Sequence, residues 1–379
     1  MSTDQRTPLD DFIEQFSEET GYLDFARVGP VGRAVVEEAQ AHSSLLATGR
    51  FGVLTHLQEE DLRVRVAVGG LLGFPADRVA FQPSRGQALM QVMFGLSGEV
   101  AISTTEYPGS TFAVARAAEA LGKLTARWID TDAGRITPGN LKPQLDDAIT
   151  AVIVGAVDSR SGYFVDIEGI RQVIGDRLLI VDATHALGVA DAPFALADLV
   201  VGGGQSWLRA GWGSGFLALS DRALERLTPV LSGYPAAADV EPPAGEVPAP
   251  QPGAAGFQVS VPDPVSQARL AAAAESIAAA GVPAINALIS QQVLRLLELA
   301  DEFALPVISP RDPAERAGIV VVQPEAGTAT ALSAALHNNG VTATSRNGTV
   351  RLSPHVSTTE DTFAALRAAF VEFATVTKP

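Results

Sequence analysis

Leu178-Leu179-Ile180-Val181-Asp182-Ala183-Thr184-His185-Ala186-Leu187-Gly188 and, further on, Asp198-Leu199-Val200-Val201-Gly202-Gly203-Gly204-Gln205-Ser206-Trp207-Leu208 are the two stretches whose reading decides the fold. The first is a wholly apolar run that ends on a carboxylate and passes into small residues. That order places Asp182 at the carboxyl edge of a sheet, the edge at which open α/β sheets bind ligands. The second repeats the pattern with glycines where the first has its carboxylate. Similar runs alternate with helical stretches along the chain: strands are predicted at 79–82, 100–103, 125–129, 151–157, 178–181 and 199–201, with helices at 87–96, 111–121 and 167–174. Ala151-Val152-Ile153-Val154-Gly155 has no polar face, as a strand covered on both sides requires. The expected fold class is α/β with a mainly parallel sheet.

Asp182-Ala183-Thr184-His185, the pair Ala197-Asp198, Gln205-Ser206-Trp207-Leu208 and the glycine-rich Gly211 to Phe216 together resemble the class V aminotransferase and cysteine desulfurase family, pyridoxal-phosphate enzymes of fold type I. The resemblance covers nearly the whole chain and is most specific between Leu179 and Leu219. It implies a large domain with a mainly parallel mixed sheet and a smaller α+β C-terminal domain. It also implies pyridoxal phosphate or pyridoxamine phosphate as cofactor, a small amino or keto acid as substrate, and a homodimer, because the family's sites lie between subunits. Eight residues past the second aspartate the family carries its Schiff-base lysine, and here that residue is Ser206, preceded by Gln205 where the family has histidine. The chain has three lysines, Lys123, Lys142 and Lys378, and none follows a strand that ends at the expected site. The absence of cysteine excludes the desulfurase branch, whose nucleophile is a thiolate.

Further site residues follow from the same resemblance. Asp182 would pair with the cofactor's pyridinium nitrogen, or else serve as a turn or capping aspartate, and His185 would contact the ring oxygen or be a structural histidine. Tyr107, in Glu106-Tyr107-Pro108-Gly109-Ser110, would stack on the ring. Pro83-Ser84-Arg85-Gly86 opens a helix, where backbone N–H groups favour an anion. The family's hydroxyl residue is lost at Arg85-Gly86, leaving Ser84, Gly86 and the Arg85 charge for a phosphate, or a site remodelled for something else. Val261 likewise stands where the family has a phosphate-binding threonine. Arg351 matches the arginine that clamps a substrate carboxylate, with a surface salt bridge as the other reading, and Ser159 lies in a turn that contacts substrate. Gly211 to Gly215 precedes a strand and opens no helix, so it is no dinucleotide fingerprint. Gln205-Ser206-Trp207-Leu208 lacks the glycine of a nucleophile elbow.

At 379 residues with 47% hydrophobic content the chain can bury a large core and divide in two. A net charge of −16 disfavours nucleic acid and anionic membrane surfaces. No apolar run long enough to span a bilayer and no signal peptide is seen, so a cytoplasmic address is expected. The five histidines have no metal-ligand spacing, and no metal is expected. The predicted organisation is an N-terminal segment (1–45) joining the small domain, a large cofactor-type domain (46–235), an extended Pro/Ala/Gly connector (236–258) and a small domain (259–379) that opens on a long helical region at 266–303. Without the lysine, ordinary transamination is doubtful. Two functions remain: an aminotransferase-like protein holding its cofactor noncovalently, or a noncatalytic descendant whose cleft takes another small anion or whose surface serves a protein partner.

Overall fold

The computed structural model describes residues 6–377 apart from Val240 and Pro242. Helices α1 (Pro8–Ile13), α2 (Arg33–Thr48), α3 (Val53–Gln58) and α4 (Glu60–Leu72) precede the first strand, β1 (Val79–Gln82). There follow α5 (Arg85–Gly95), β2 (Gly98–Ser103), α6 (Pro108–Leu121), β3 (Leu124–Ile129), α7 (Pro138–Leu141), β4 (Ile149–Gly155), α8 (Ile167–Ile174), β5 (Leu178–Asp182), β6 (Leu199–Gly203), β7 (Gly215–Leu219) and α9 (Asp221–Arg226). The chain ends with α10 (Pro264–Ala280), α11 (Val282–Glu302), β8 (Val320–Val322), α12 (Ala329–Asn338), β9 (Thr344–Arg346), β10 (Thr349–Leu352) and α13 (Glu360–Thr377).

The large sheet has seven strands in the order β1-β7-β6-β5-β4-β2-β3, and all run parallel except β7, which is antiparallel to both neighbours. This is the expected mainly parallel mixed sheet. Strand alternation divides its side chains between two cores. On β5, Leu178 and Ile180 join Ile102, Ile153 and Leu217 on one face, while Leu179 and Val181 join Val152, Val154 and Phe216 on the other. The first face is covered by α5 and α6 through Leu89, Val92, Ala113 and Val114, and the second by α4 and α8 through Val64, Val68, Ile167 and Ile170. Capping fixes the helix starts locally: the Ser84 hydroxyl accepts from Gln87 N, and the Asp166 carboxylate accepts from Gly169 N. Asp198 closes the sheet's amino end, accepting from Leu179 N at 2.8 Å and pairing with Arg171 and Arg222.

A second sheet, β8-β10-β9, is antiparallel throughout. The N-terminal segment lies against it, with Tyr22 and Asp24 bridging to Thr342 and Ser353.

Two expectations need correction. The helical region at 266–303 is broken at Gly281, where φ is +83°, and the two parts meet at 83°. Gly281 ends α10 and Pro283 fits only a first helical turn, so the helix stops and restarts. The stretch read as an extended connector is packed at its far end: Ala254 and Phe257 are buried, and the Phe257 carbonyl accepts from the Gln82 and Gln91 side chains at 2.8 and 2.9 Å.

One buried ion pair ties these layers together. Arg209, in the β6–β7 loop at 2% side-chain exposure, meets Glu18 at 2.6 Å, stacks on Phe16, and donates to Ser357 and to the Pro30 carbonyl. Removing one partner strands a buried charge, which costs roughly 3–5 kcal/mol. Arg209→Ala is expected to lower unfolding stability by that amount in urea titrations, and Arg209→Ala with Glu18→Ala by clearly less than the sum of the two single losses.

Candidate active-site cleft

The parallel strands deliver the site residues to one edge. Arg85 follows β1, Glu106 and Tyr107 follow β2, Ser159 follows β4, Asp182 ends β5 and Ser206 follows β6. Arg85, Glu106, Tyr107, Asp158, Ser159, Asp182 and His185 line one recess. Their side chains nearly fill it: about 10 Å³ is open, far below the roughly 300–1,000 Å³ typical of small-molecule sites.

Asp182 is 4% exposed, and its two oxygens have different partners. Oδ1 accepts from the Thr184 backbone at 3.0 Å and from its hydroxyl at 2.6 Å, while Oδ2 lies 3.3 Å from the Arg85 guanidinium. Arg85 also lies over the Tyr107 ring, 3.7 Å from its centroid. The expected orientation of Arg85 toward an anion at the start of α5 is therefore corrected: its side chain turns inward and fills the gap between Asp182 and Tyr107. Ser84 and Gly86 remain exposed at the helix start, and the Ser84 hydroxyl is engaged in capping.

His185 is buried edge-on to Trp207, with ring centroids 5.8 Å apart, and its Nδ1 has no hydrogen-bond partner. Burial, reinforced by Arg85 and Arg351, pushes its pKa well below the usual imidazole range and keeps it neutral. Arg351, on β10, is 15% exposed and lies 3.7 Å from the carboxylate of buried Asp24, so the salt bridge considered from the sequence is present but buried, not at the surface. Its Nη atoms make long contacts to the Ser159 carbonyl at 3.3 Å and the Thr344 hydroxyl at 3.4 Å, while Nε is buried without a partner. Gln205 is half-buried, its side-chain oxygen lying against Gly203 near Arg85, and its backbone carbonyl accepts from Gly29 N at 2.7 Å. A Cβ on Gly29 would lie 2.3 Å from the Ser206 carbonyl, so only glycine lets the N-terminal segment pass there. Ser206 is 1% exposed and donates its hydroxyl to the Thr184 carbonyl at 3.1 Å.

Sequence reasoning quoted Glu106 without assigning it a role. Its carboxylate accepts from Tyr107 N at 2.9 Å and Gly155 N at 3.0 Å, and a Cβ at Gly155 would collide with it. Burial pushes its pKa up to about 7 against those two donors, with the Asp182 and Asp158 charges adding to the rise. The signal was available, since Glu106 follows a strand at the carboxyl edge as Asp182 does.

The class V aminotransferase family matches residues 35–377, and the chain belongs to that family. Pyridoxal phosphate is the family's cofactor, and its substrates are small amino acids. Solved structures share the fold at low identity. The apo cysteine desulfurase of Thermococcus onnurineus NA1 has a TM-score of 0.84 at 21% identity, covering 96% of this chain and 97% of that one. The C-DES lyase, as a lysine-to-alanine mutant with glycine covalently linked to its PLP cofactor, has a TM-score of 0.85 at 18% identity, covering 93% and 96%. The Escherichia coli cysteine desulfurase CsdA has 0.81 at 18% identity, covering 98% and 100%. No curated protein matches the sequence.

Tested against that cofactor, the cleft fits the ring's edges and face. Asp182 Oδ2, the Tyr107 face and the orphaned His185 Nδ1 are suitable partners for a ring nitrogen, a ring plane and a ring oxygen. These residues fit noncovalent binding with Arg85 turned out of the gap, and they offer no amine for a covalent bond.

Glu106 sets a pH test. Its folded pKa lies above the ordinary carboxylate value, so its contribution to stability is complete below about pH 4.5 and is lost as pH rises through about 7. Between pH 5 and 8 the protein is expected to lose on the order of 1–3 kcal/mol through this group. Glu106→Gln is expected to flatten that part of the stability profile in denaturant titrations at stepped pH.

Proposed function

We propose that this protein holds pyridoxal phosphate or pyridoxamine phosphate without a covalent tether and does not carry out ordinary transamination of small amino or keto acids. The observation that carries this reading is the state of Ser206, buried with its hydroxyl bonded to the Thr184 carbonyl. No lysine among the described residues reaches the cleft: Lys123 is exposed where β2 and β3 begin, at the opposite edge of the sheet, and Lys142 is exposed beyond α7. Lys378 lies outside the described residues.

When bound, the cofactor supplies an electron-withdrawing ring that stabilises charge at a substrate's alpha carbon. The chain's own residues have the following parts. Asp182 keeps a proton on the ring nitrogen, Tyr107 packs against the ring, and neutral His185 faces its oxygen. The start of α5 at Ser84, Arg85 and Gly86 presents backbone N–H groups to a phosphate, with Gln205 at the adjoining sheet end. Arg351, through its unpartnered Nε, meets a substrate carboxylate beside Ser159. The missing part is the base: loss of a proton shuttle costs roughly 10²- to 10⁴-fold in rate. The lysine-to-alanine C-DES mutant, with glycine covalently linked to its PLP cofactor, supports retention of the cofactor in this fold when a lysine is replaced. A cytoplasmic homodimer completes the reading, and no single helix among the described residues is long and apolar enough to cross a membrane.

The second reading is a noncatalytic descendant that takes another small anion or a protein partner. It is favoured by Arg85, which already fills the ring's place.

The test is equilibrium binding of pyridoxamine phosphate by calorimetry, followed by desalting, with amino-donor and 2-oxo-acid turnover assayed in parallel. Binding is expected to be saturable, to be lost on desalting, to weaken at least about tenfold in Asp182→Ala, and to give no turnover above that of free cofactor. In a parallel sample incubated with pyridoxal phosphate, whose aldehyde can condense with a lysine, a stoichiometric pyridoxyl group on Lys123 or Lys142 after borohydride reduction overturns the proposal, as does turnover at ordinary aminotransferase rates. Binding indifferent to Asp182→Ala favours the second reading.

A further inference from the structure

We infer that the Arg85 side chain is an internal stand-in for the cofactor ring: its guanidinium occupies the gap between Tyr107 and Asp182, and a pyridinium-type ligand enters only by displacing it. The inference rests on reading the cleft as a pyridoxal-phosphate-type site and adds what holds that site closed.

The geometry supplies the first argument. A protonated pyridine needs a ring face to stack on and a carboxylate for its N–H. Arg85 satisfies the same two groups, 3.7 Å from the Tyr107 centroid and 3.3 Å from Asp182 Oδ2. A guanidinium is the side chain suited to this substitution, being planar, cationic, an edge donor and a good stacking partner.

Position supplies the second. Arg85 is the first residue of α5, at the positive end of the helix dipole, where a cation is disfavoured. Solvent is within reach there, since Ser84, Gly86 and Gln87 on either side are exposed, yet the Arg85 side chain is only 10% exposed. Its inward course therefore reflects attraction to the cleft rather than a lack of alternatives.

Charge balance supplies the third. Oδ1 of Asp182 is held by neutral Thr184 donors, and Arg85 is the one cation paired with the carboxylate among the described residues. A carboxylate this buried is costly without a counter-ion. Arg85 thus stabilises the ligand-free cleft and disfavours occupied states, and apparent affinity falls by the fraction of molecules whose gap is open.

The experiment compares wild type with Arg85→Ala, using pyridoxamine phosphate and ethylguanidinium as probes, calorimetry for binding and thermal unfolding for stability. Arg85→Ala is expected to bind pyridoxamine phosphate at least about tenfold more tightly than wild type. It is also expected to unfold at lower temperature, and to regain stability in millimolar ethylguanidinium while wild type does not respond. Where pyridoxamine phosphate binds, the affinity ratio decides: equal or weaker binding by Arg85→Ala overturns the inference and leaves the noncovalent-cofactor reading intact. Where it binds neither protein, that reading falls and ethylguanidinium decides: selective stabilisation of Arg85→Ala upholds the stand-in, and no response overturns it. Should Arg85→Ala be recovered unfolded, Arg85→Gln, which keeps a donor for Asp182, is judged by the same criteria.

Discussion

The buried pair of Arg209 and Glu18 is the constraint on which the cleft's architecture depends. Arg209 sits in the loop that carries Ser206 and adopts φ of +56°, a left-handed conformation unusual for a side chain of that size. Its guanidinium is shared among Glu18, the Pro30 carbonyl, Ser357 and His355. His355 stacks on Phe25, meets Phe16 edge-on, and is kept neutral by burial and by Arg209 itself. Three separate parts of the chain thus meet at one cation. Buried ion pairs contribute little net stability over an apolar substitute, but they tolerate few alternative arrangements. The N-terminal segment, the β6–β7 loop and the turn after β10 are therefore held in one register, and Ser206 is fixed between Gly29 and Thr184.

At the sheet's carboxyl edge the balance of charge is close. Asp182 and Asp158 are negative, Arg85 and Arg351 are positive, His185 is neutral, and Glu106 titrates near neutrality. Arg351 is placed by the small sheet and Asp182 by the large one, and the Arg209 hub joins the loop after β6 to the turn after β10. The cleft's polar groups are almost all satisfied from within, and the exceptions, His185 Nδ1 and Arg351 Nε, both belong to residues that the family resemblance had marked.

The sheet was legible because apolar runs such as Ala151 to Gly155 admit few other structures, and because Asp182 at the end of such a run points to the ligand edge. The family motif marked Tyr107, His185, Arg351 and Ser206: the first two line the recess, Arg351 reaches its edge at the Ser159 carbonyl, and Ser206 is buried against the Thr184 carbonyl. Side-chain direction was not legible. Nothing in the order Pro83-Ser84-Arg85-Gly86 says whether the arginine faces a phosphate or folds back over Tyr107, since that depends on a carboxylate nearly a hundred residues away. Arg209 was invisible for the same reason, as its partner is Glu18. The break at Gly281 was missed although Gly281-Val282-Pro283 carries both a stop and a start, because the alanine-rich surroundings read as one helix. The burial of Phe257 shows the converse: proline content indicated an irregular backbone correctly but said nothing about whether that backbone lies on the core.

The contact between Arg85 and Asp182 also bears on how the protein depends on its surroundings. An enzyme whose interior acid is neutralised only by a visiting cofactor gains folding free energy in proportion to the logarithm of that cofactor's supply. A chain that carries the neutralising cation on its own helix starts from a ligand-free state that is already charge-balanced, and a ligand entering it must first make good the loss of that internal pair before it adds stability.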